Sequence, residues 1–214
     1  MSGCLTLPFR IAFLALLVFG GFVAWSYRRE IRHQVHEWTA DPATEALRRG
    51  TAQPGLAVGV RRKVDSLGGA SVDSIVLSPA ELASVMVELA AGIVPGAVDS
   101  VEVRLGDDDL EVRALVDTRQ VPLPLGPLRG IVNDREYVEA GGRLVFRRTG
   151  RAEWQVERVR VRGVPIPREL FGRVLERFSG DAGAGAIGLS IPRTVTGLRV
   201  GPLGVTLYGA GGGR

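Results

Sequence analysis

The chain holds one cysteine, Cys4, in 214 residues. A lone thiol cannot close a disulfide within the chain, so a disulfide-stapled fold is excluded and no redox compartment is implied. Histidine is nearly as scarce: His33 and His36 are the only two, both near the N-terminus. A serine or cysteine nucleophile further along would lack an imidazole base, which removes the usual triads. Carboxylates alone can do acid–base work, but no pair of them stands out. Lysine is confined to Lys63, against 26 arginines. Aromatic residues make up 6% of the chain, and few accompany the basic segments, so stacking on single-stranded nucleic acid is not expected. No repeat of fixed period is present.

The remaining totals suit one good-sized domain with an appendage: 45% apolar, 23% charged and a net charge of +4. A mild basic excess permits contact with anionic lipid without requiring it. Glycine, at 29 residues, is about twice the usual share and collects in turns and at the C-terminus.

Residues Ile11–Tyr27, IAFLALLVFGGFVAWSY, carry no charge. At about 1.5 Å per residue they fall just short of the roughly 30 Å hydrocarbon core, and Leu5–Phe9 could extend them. Trp25 and Tyr27 suit a membrane interface, with Arg28, Arg29 and Arg32 just beyond. The expectation is a retained single-pass anchor. A signal peptide cleaved near Ala24-Trp25-Ser26 and a buried core helix are the alternatives. The arginines after the segment favour a cytoplasmic main domain. Large C-terminal domains, however, are exported largely regardless of such counts, and the short, singly charged N-terminus resembles a signal anchor. The domain is therefore expected outside the cytoplasm, in the cell envelope.

The expected organisation is an anchor with a juxtamembrane helix over 1–39, a linker with a short helix over 40–72, an α+β domain over 73–208, and a disordered tail over 209–214. In the linker, Asp41-Pro42 starts a short helix that ends at Gly50, Thr51–Gly55 connects, and Leu56, Val58 and Val60 alternate as a strand would. Ser78-Pro79 with Glu81 three places on is a capping box with proline at the first helical position. Leu82, Val85, Met86, Leu89 and Ile93 then form one apolar stripe, and Gly92 offers a left-handed exit. Strands are expected at Asp73–Leu77 and Val98–Leu105. Val101, Val103 and Leu105, then Leu110, Val112, Ala114 and Val116, alternate around Gly106–Asp109, which predicts a hairpin.

Val121–Gly130, VPLPLGPLRG, is too rich in proline for a central strand and reads as an apolar loop or edge. Leu144–Arg148 and Ala152–Arg162 predict a second hairpin around Gly150. Its second strand changes phase, because Trp154 and Val156 have one parity and Val159 and Val161 the other. A bulge near Glu157-Arg158 would return all four to one side. Pro165 and Pro167 introduce a second amphipathic helix with Leu170, Phe171, Val174, Leu175 and Phe178 on one stripe. Strands at Ile187–Ile191, Leu198–Val200 and Val205–Tyr208 close the domain. This order predicts an antiparallel sheet with two amphipathic helices on one face, after an N-terminal transmembrane helix.

Several patterns have plain explanations. Gly183–Gly188 matches G-x-G-x-x-G but follows a helix and precedes a strand, the reverse of a dinucleotide site, so no cofactor is expected. His33 and His36 lack partners to complete a metal site, and Asp107–Asp109 with Glu111 lacks the spacing of a calcium loop, so no metal is expected either. Arg158, Arg160 and Arg162 would share the polar face of one strand. They form either a solvated face or a contact for anionic lipid headgroups. The two helical stripes ordinarily serve as core, each large side chain contributing roughly 1.5–3 kcal/mol on burial. Read functionally, Leu82, Val85, Met86 and Leu89 with Leu170, Phe171, Val174 and Phe178 line an apolar groove for a membrane lipid's acyl chain.

The blocks IVLSPAELASVM, SVEVRLGDDDLEV and VRVRGVPIPRELFGRVLERF resemble small bacterial envelope proteins of the YpmS-like and LmeA-like type, similar to the tubular lipid-binding (TULIP) superfamily. The likeness spans about Asp73 to Tyr208 and lies in the order of elements: strand, S-x-x-E-L helix, alternating hairpin. It implies a curved antiparallel sheet wrapped on a helix and lipid binding in the envelope, with no catalytic residues. The arginine-rich linker and the proline-rich loop depart from that pattern. The companion reading is an envelope scaffold that docks a protein partner on a sheet edge or on the 121–130 loop.

Overall fold

The computed structural model describes residues 42–67, 72–93, 95–120, 133–178 and 185–209, except for the side chains of 42, 93, 173, 174, 177 and 178. The expected anchor, the 121–130 loop and residues 210–214 of the expected tail lie outside the described residues, while Gly209, assigned to that tail, ends a strand. Among the described residues no helix is long and apolar enough to cross a membrane. The chain divides between Glu45 and Ala46, and everything from Ala46 onward forms one unit.

The unit is α+β, and every strand pairing in it is antiparallel. After helix α1 (Pro42–Leu47) come β1 (Arg49–Thr51), α2 (Leu56–Ser66), β2 (Ser74–Leu77), α3 (Pro79–Ile93), β3 (Val98–Leu105) and β4 (Leu110–Asp117). Then follow β5 (Arg135–Arg148), β6 (Arg151–Val161), β7 (Val164–Pro165), α4 (Arg168–Phe178), β8 (Ala186–Ser190), β9 (Val195–Gly201) and β10 (Gly204–Gly209). Seven strands make a wide sheet in the order β1-β3-β4-β5-β6-β7, with β8 also on β6. A second sheet has the order β2-β10-β9. The strand expected before the first stripe is therefore not a neighbour of β3. It pairs with β10 at the far end of the chain, so α3 connects two sheets.

Local chemistry explains most boundaries. The Ser78 N–H donates to Glu81 Oε2 at 2.8 Å, and the Glu81 N–H donates to Ser78 Oγ at 3.3 Å. The capping box thus forms as read, satisfying donors that the first helical turn leaves open. The same Glu81 carboxylate accepts from Lys63 Nζ at 2.5 Å. Burial pushes the Glu81 carboxyl up, but the hydrogen bonds from Lys63 and Ser78 outweigh it and hold the group below its ordinary value.

Several expectations fail here. Leu56–Val60 is not a strand. It begins α2, in which Ala57, Val60 and Val64, with Leu67 just beyond, are buried. Those positions recur at three- and four-residue intervals, so the helical period prevails over a short run of alternation. Residues 46–66 are accordingly part of the folded unit, not a linker: α2 enters the core, and β1 pairs with β3 where Arg49, Gly50 and Thr51 face Arg104, Val103 and Glu102. The helix before them stops at Leu47 instead of reaching Gly50. Gly92, finally, does not end α3. The helix runs on to Ile93, and the left-handed residue is Gly96, with φ 74°.

The core fills the space between the sheets and beneath α2 and α3. Leu77, Val200, Val205 and Leu207 from the second sheet join Val101, Val103, Leu105 and Leu110 from the wide one. The expected β3–β4 hairpin is present, with Leu105 opposite Leu110. The expected bulge is also present. Gly141 faces Arg158 and Gly142 faces Val156, leaving Glu157 as the extra residue of β6. Trp154, Val156 and Val159 consequently all reach the core side. The hairpin's first strand begins at Arg135, well before Leu144.

Gly142 makes the bulge possible. A Cβ at that position would stand 1.8 Å from the Gln155 carbonyl oxygen. Gly142→Ala should destabilise the fold by about 2–3 kcal/mol through overpacking. Gly59, inside α2 with nothing within 4 Å of its Cβ position, is the control: Gly59→Ala should stabilise by about 0.5–1 kcal/mol. Urea denaturation of the two variants tests the pair, and equal behaviour would contradict the close approach at the bulge.

Candidate apolar site on the wide sheet

The pleat sorts the wide sheet into two chemically distinct faces. On the core side the registers align apolar rows across the strands. Leu105, Leu110, Gly142 and Val156 form one row, and its leucines and valine are at most 1% exposed. The next row toward Asp117 and Arg135 is Val103, Val112, Ala140 and Val159, and the one after it is Val101, Ala114, Val138 and Val161. Here only the β3 members are fully buried, while Val112, Ala114, Val138, Ala140, Val159 and Val161 are partly exposed. The apolar floor over β4, β5 and β6 is thus sealed at one end and half-covered at the other.

The two helices flank this floor. α3 packs chiefly on β1, β3 and α2, and α4 on β6 and β8. Of the stripe read on α3, Leu82 is buried, Val85 and Met86 are half-buried against the core, and Leu89 is 41% exposed. Ala83 and Ser84, which the stripe omitted, are buried instead. Ser84 Oγ accepts from the Gln53 N–H at 3.0 Å and donates to the Ala80 carbonyl at 2.8 Å, so its polarity is satisfied. On α4, Phe171 is buried, Leu175 is partly buried and Leu170 is 48% exposed. The side chains of Val174 and Phe178 lie outside the described residues. Val164, on β7 beside Val161, is 60% exposed.

The opposite face is a lattice of charge. Across one row stand Glu102, Arg113, Glu139 and Arg160, and across the next Arg104, Glu111, Gly141 and Arg158. Arg113 meets Glu139 at 3.5 Å and lies over the Tyr137 ring, 4.4 Å from its centre. Arg158 crosses the bare Cα of Gly141 to reach Asp109 Oδ2 at 2.7 Å. A Cβ on Gly141 would sit 2.6 Å from that guanidinium. The three arginines read as headgroup contacts are therefore engaged within the sheet. Arg158 pairs with Asp109, Arg162 with the buried Glu136 at 3.2 Å, and Arg160 stands opposite Glu139. The acidic turn 107–109, weighed as a calcium site, supplies Arg158's partner. Among the described residues no cluster of His, Cys, Asp or Glu could hold a metal ion. Gly185 and Gly188 of the G-x-G-x-x-G pattern lie at the start of β8 and within it, with no helix following.

A polar clasp joins residues 117–120 to residues 133–136. Asp117 Oδ1 and Oδ2 accept from Arg119 Nε and Nη2 at 3.1 and 2.9 Å, and Gln120 Nε2 donates to Oδ2 at 3.2 Å. Across the gap, the Thr118 N–H and hydroxyl donate to the Asp134 and Asn133 carbonyls at 2.9 and 2.8 Å. The Asn133 N–H donates to Glu136 Oε1 at 2.8 Å. Sequence reading missed this clasp, although an aspartate two residues before an arginine at a strand end is a recognisable turn device. It placed Trp154 on the same side as Val156 but did not give the state of its indole. That ring is buried, and its indole N–H has no acceptor. Nothing in the spacing of apolar residues reports an unsatisfied donor. No protein-family model, curated protein or solved structure matches the chain.

Two carboxyls should titrate in opposite directions. The hydrogen bonds from Arg119 hold Asp117 well below the ordinary carboxylate range. Burial pushes Glu111 up, against the pull of Arg104 and Arg158 and with a further push from Glu139 and Asp109. A depressed Asp117 contributes stability that is present above its unfolded value and lost as pH falls through the folded one. A raised Glu111 opposes folding when ionised, a penalty relieved as pH falls through its folded value. Carboxyl carbon NMR should place Asp117 below about 3.9 and Glu111 above about 4.3. Asp117→Asn should reduce stability at neutral pH, and Glu111→Gln should raise it. A normal midpoint for either group would contradict its assigned environment.

Proposed function

We propose that this is a non-enzymatic lipid-binding or lipid-handling domain, tethered to the cell membrane by residues 11–27 and working in the envelope. One observation carries the reading: the apolar rows over β4, β5 and β6 stay half-covered, with α3 packed to one side of them and α4 to the other. A contiguous apolar surface on a monomer commonly marks a binding site. An extended hydrocarbon chain suits a floor made of Val112, Ala114, Val138 and Ala140, where side chains are short and no polar group needs a partner. The bulged, strongly hydrogen-bonded sheet fits the curved wall that the resemblance to tubular lipid-binding proteins implies. In this reading Leu82, Val85, Met86 and Leu89 stand at one wall, and Leu170 and Phe171 at the other. Arg162, half-exposed near Val164, meets a headgroup more readily than Arg158.

A second reading has its own observation. β2 is an edge strand of the small sheet, and its Val76 and the neighbouring Leu203 are 56% and 57% exposed. An open edge with two exposed apolar side chains favours a docked protein partner through strand addition.

Native mass spectrometry of residues 40–214 prepared from membranes separates the two. Lipid binding requires a retained lipid mass that Val138→Arg removes while the fold, followed by circular dichroism, survives. Lipid-free protein from both membrane-derived and membrane-free preparations would reject it. A single crosslinked protein at Val76 without any lipid mass would establish the docking role instead.

A further inference from the structure

The geometry points to the turn of the β5–β6 hairpin as the face that docks the domain on an anionic phospholipid surface. This rests on the part of the proposed function that holds the domain beside a membrane, and not on an acyl groove. On the charged face of the wide sheet, the row Glu102, Arg113, Glu139 and Arg160 alternates in sign. At the hairpin's end the register instead puts Arg148 directly opposite Arg151, with Arg147 as an extra residue between Phe146 and Arg148. Like charges set opposite one another destabilise a strand pair. The turn after β8 adds to the charge. The Ile191 N–H donates to the Gly150 carbonyl at 3.2 Å, and Arg193 Cγ lies 3.7 Å from where a Cβ on Gly150 would stand. Arg193 is thereby laid beside the arginines of the hairpin.

No acidic residue occurs in 143–152 or in 186–209. The nearest along β6, Glu153, is buried and accepts from Arg147 at 2.6 Å. Arg148 and Arg193 are exposed and have no partner among the described residues. The charge pairing that orders the rest of the sheet is broken at this turn, and such departures gather at functional sites. Guanidinium forks bind phosphate through paired hydrogen bonds, and the exposed Thr149 and Ser190 lie beside them, Ser190 opposite Arg151. Residues 147–151 and 190–194 contain no aromatic side chain, so there is no platform on which bases could stack. Exposed arginines on a turn suit an array of phosphates, such as a bilayer presents, better than one enclosed anion. Docked in this way, the domain turns its half-covered rows, at the opposite end of β5 and β6, away from that surface.

The test uses the full chain with its lone cysteine removed by Cys4→Ser. A fluorescent dye is attached through Thr149→Cys at the turn, or through Asp134→Cys at the opposite end of the hairpin. The chain is reconstituted into vesicles of phosphatidylcholine alone or mixed with phosphatidylglycerol, a fraction of the headgroups bearing a nitroxide quencher. The dye at 149 should be quenched in the mixed vesicles only and released by high salt, whereas the dye at 134 should stay bright in both. Arg148→Gln with Arg193→Gln should lower the ratio of docked to undocked domain about thirtyfold, and Arg49→Gln with Arg62→Gln, the same loss of charge on β1 and α2, should not. Equal quenching in both vesicles, equal quenching at 134, or an equal effect of the β1 and α2 pair would overturn the assignment. So would release by inorganic phosphate at matched ionic strength, which would make the ligand a free phosphate. A chain that floats with the vesicles but shows no quenching at 149 loses this docking face alone. One that does not float with them loses the membrane tether as well.

Discussion

The wide sheet depends on one extra residue. Without Glu157 as a bulge, β6 would alternate strictly, so Val159 and Val161 would face water and Arg158 and Arg160 would enter the core. An unpaired guanidinium in an apolar interior costs several kcal/mol, and the apolar rows would end at Val156. The bulge removes that conflict by shifting parity once, in mid-strand. It works only because the partner strand has two glycines there: Gly142 admits the Gln155 carbonyl, and Gly141 leaves room for Arg158 to lie flat across β5. Each glycine solves a separate steric problem, one of backbone and one of side chain.

That parity shift also determines what the arginines do. On the charged face they alternate in sign with glutamates along the row Glu102, Arg113, Glu139 and Arg160, and a two-residue slip between β3 and β4 would set Glu102 opposite Glu111 or Arg104 opposite Arg113. Exposed pairs of this kind stabilise by only about 0–1 kcal/mol each. Their larger effect is on register, since a one-residue slip would both break the rows and turn the apolar face outward. Arginine suits the work better than lysine because its planar fork can reach along a neighbouring strand and stack on a ring, as Arg113 does over Tyr137. The chain's near-exclusive use of arginine is consistent with a structural demand on this sheet. It does not by itself indicate an anionic partner.

Much of this was legible in the sequence where one local rule acted alone. Ser78 and Glu81 form their box because both partners lie within one turn. The β3–β4 hairpin follows from clean alternation around an acidic glycine turn, and the break in parity after Val156 demanded a bulge. Where two rules competed, the reading failed. Leu56, Val58 and Val60 alternate, yet Ala57, Val60, Val64 and Leu67 repeat with helical period over a longer span, and the longer pattern prevails. The pairing of β2 with β10 is set by contacts between distant parts of the chain, which no local pattern encodes. The site was less legible than the fold. Helical spacing located Leu82 and Phe171 in the core, but it could not tell that Leu89 and Leu170, on the same stripes, stay exposed. That depends on where each helix sits on the sheet.

The placement of the helices bears directly on the proposed function. An amphipathic helix gains most by lying over the middle of a sheet, where its stripe is covered on both sides. Here α3 is drawn toward β1 and α2, because Ala80 closes on Gly50 at a distance no side chain on residue 50 would permit, and because Glu81 and Glu88 pair with Lys63 and Arg61 of α2. α4 is held at the other side by Phe171 and by the β6–β8 pair. Neither helix can move over β4 and β5 without breaking those contacts, so the cost of leaving valine and alanine rows half-covered is offset elsewhere in the fold. Such an arrangement keeps an apolar surface available without relying on weak packing.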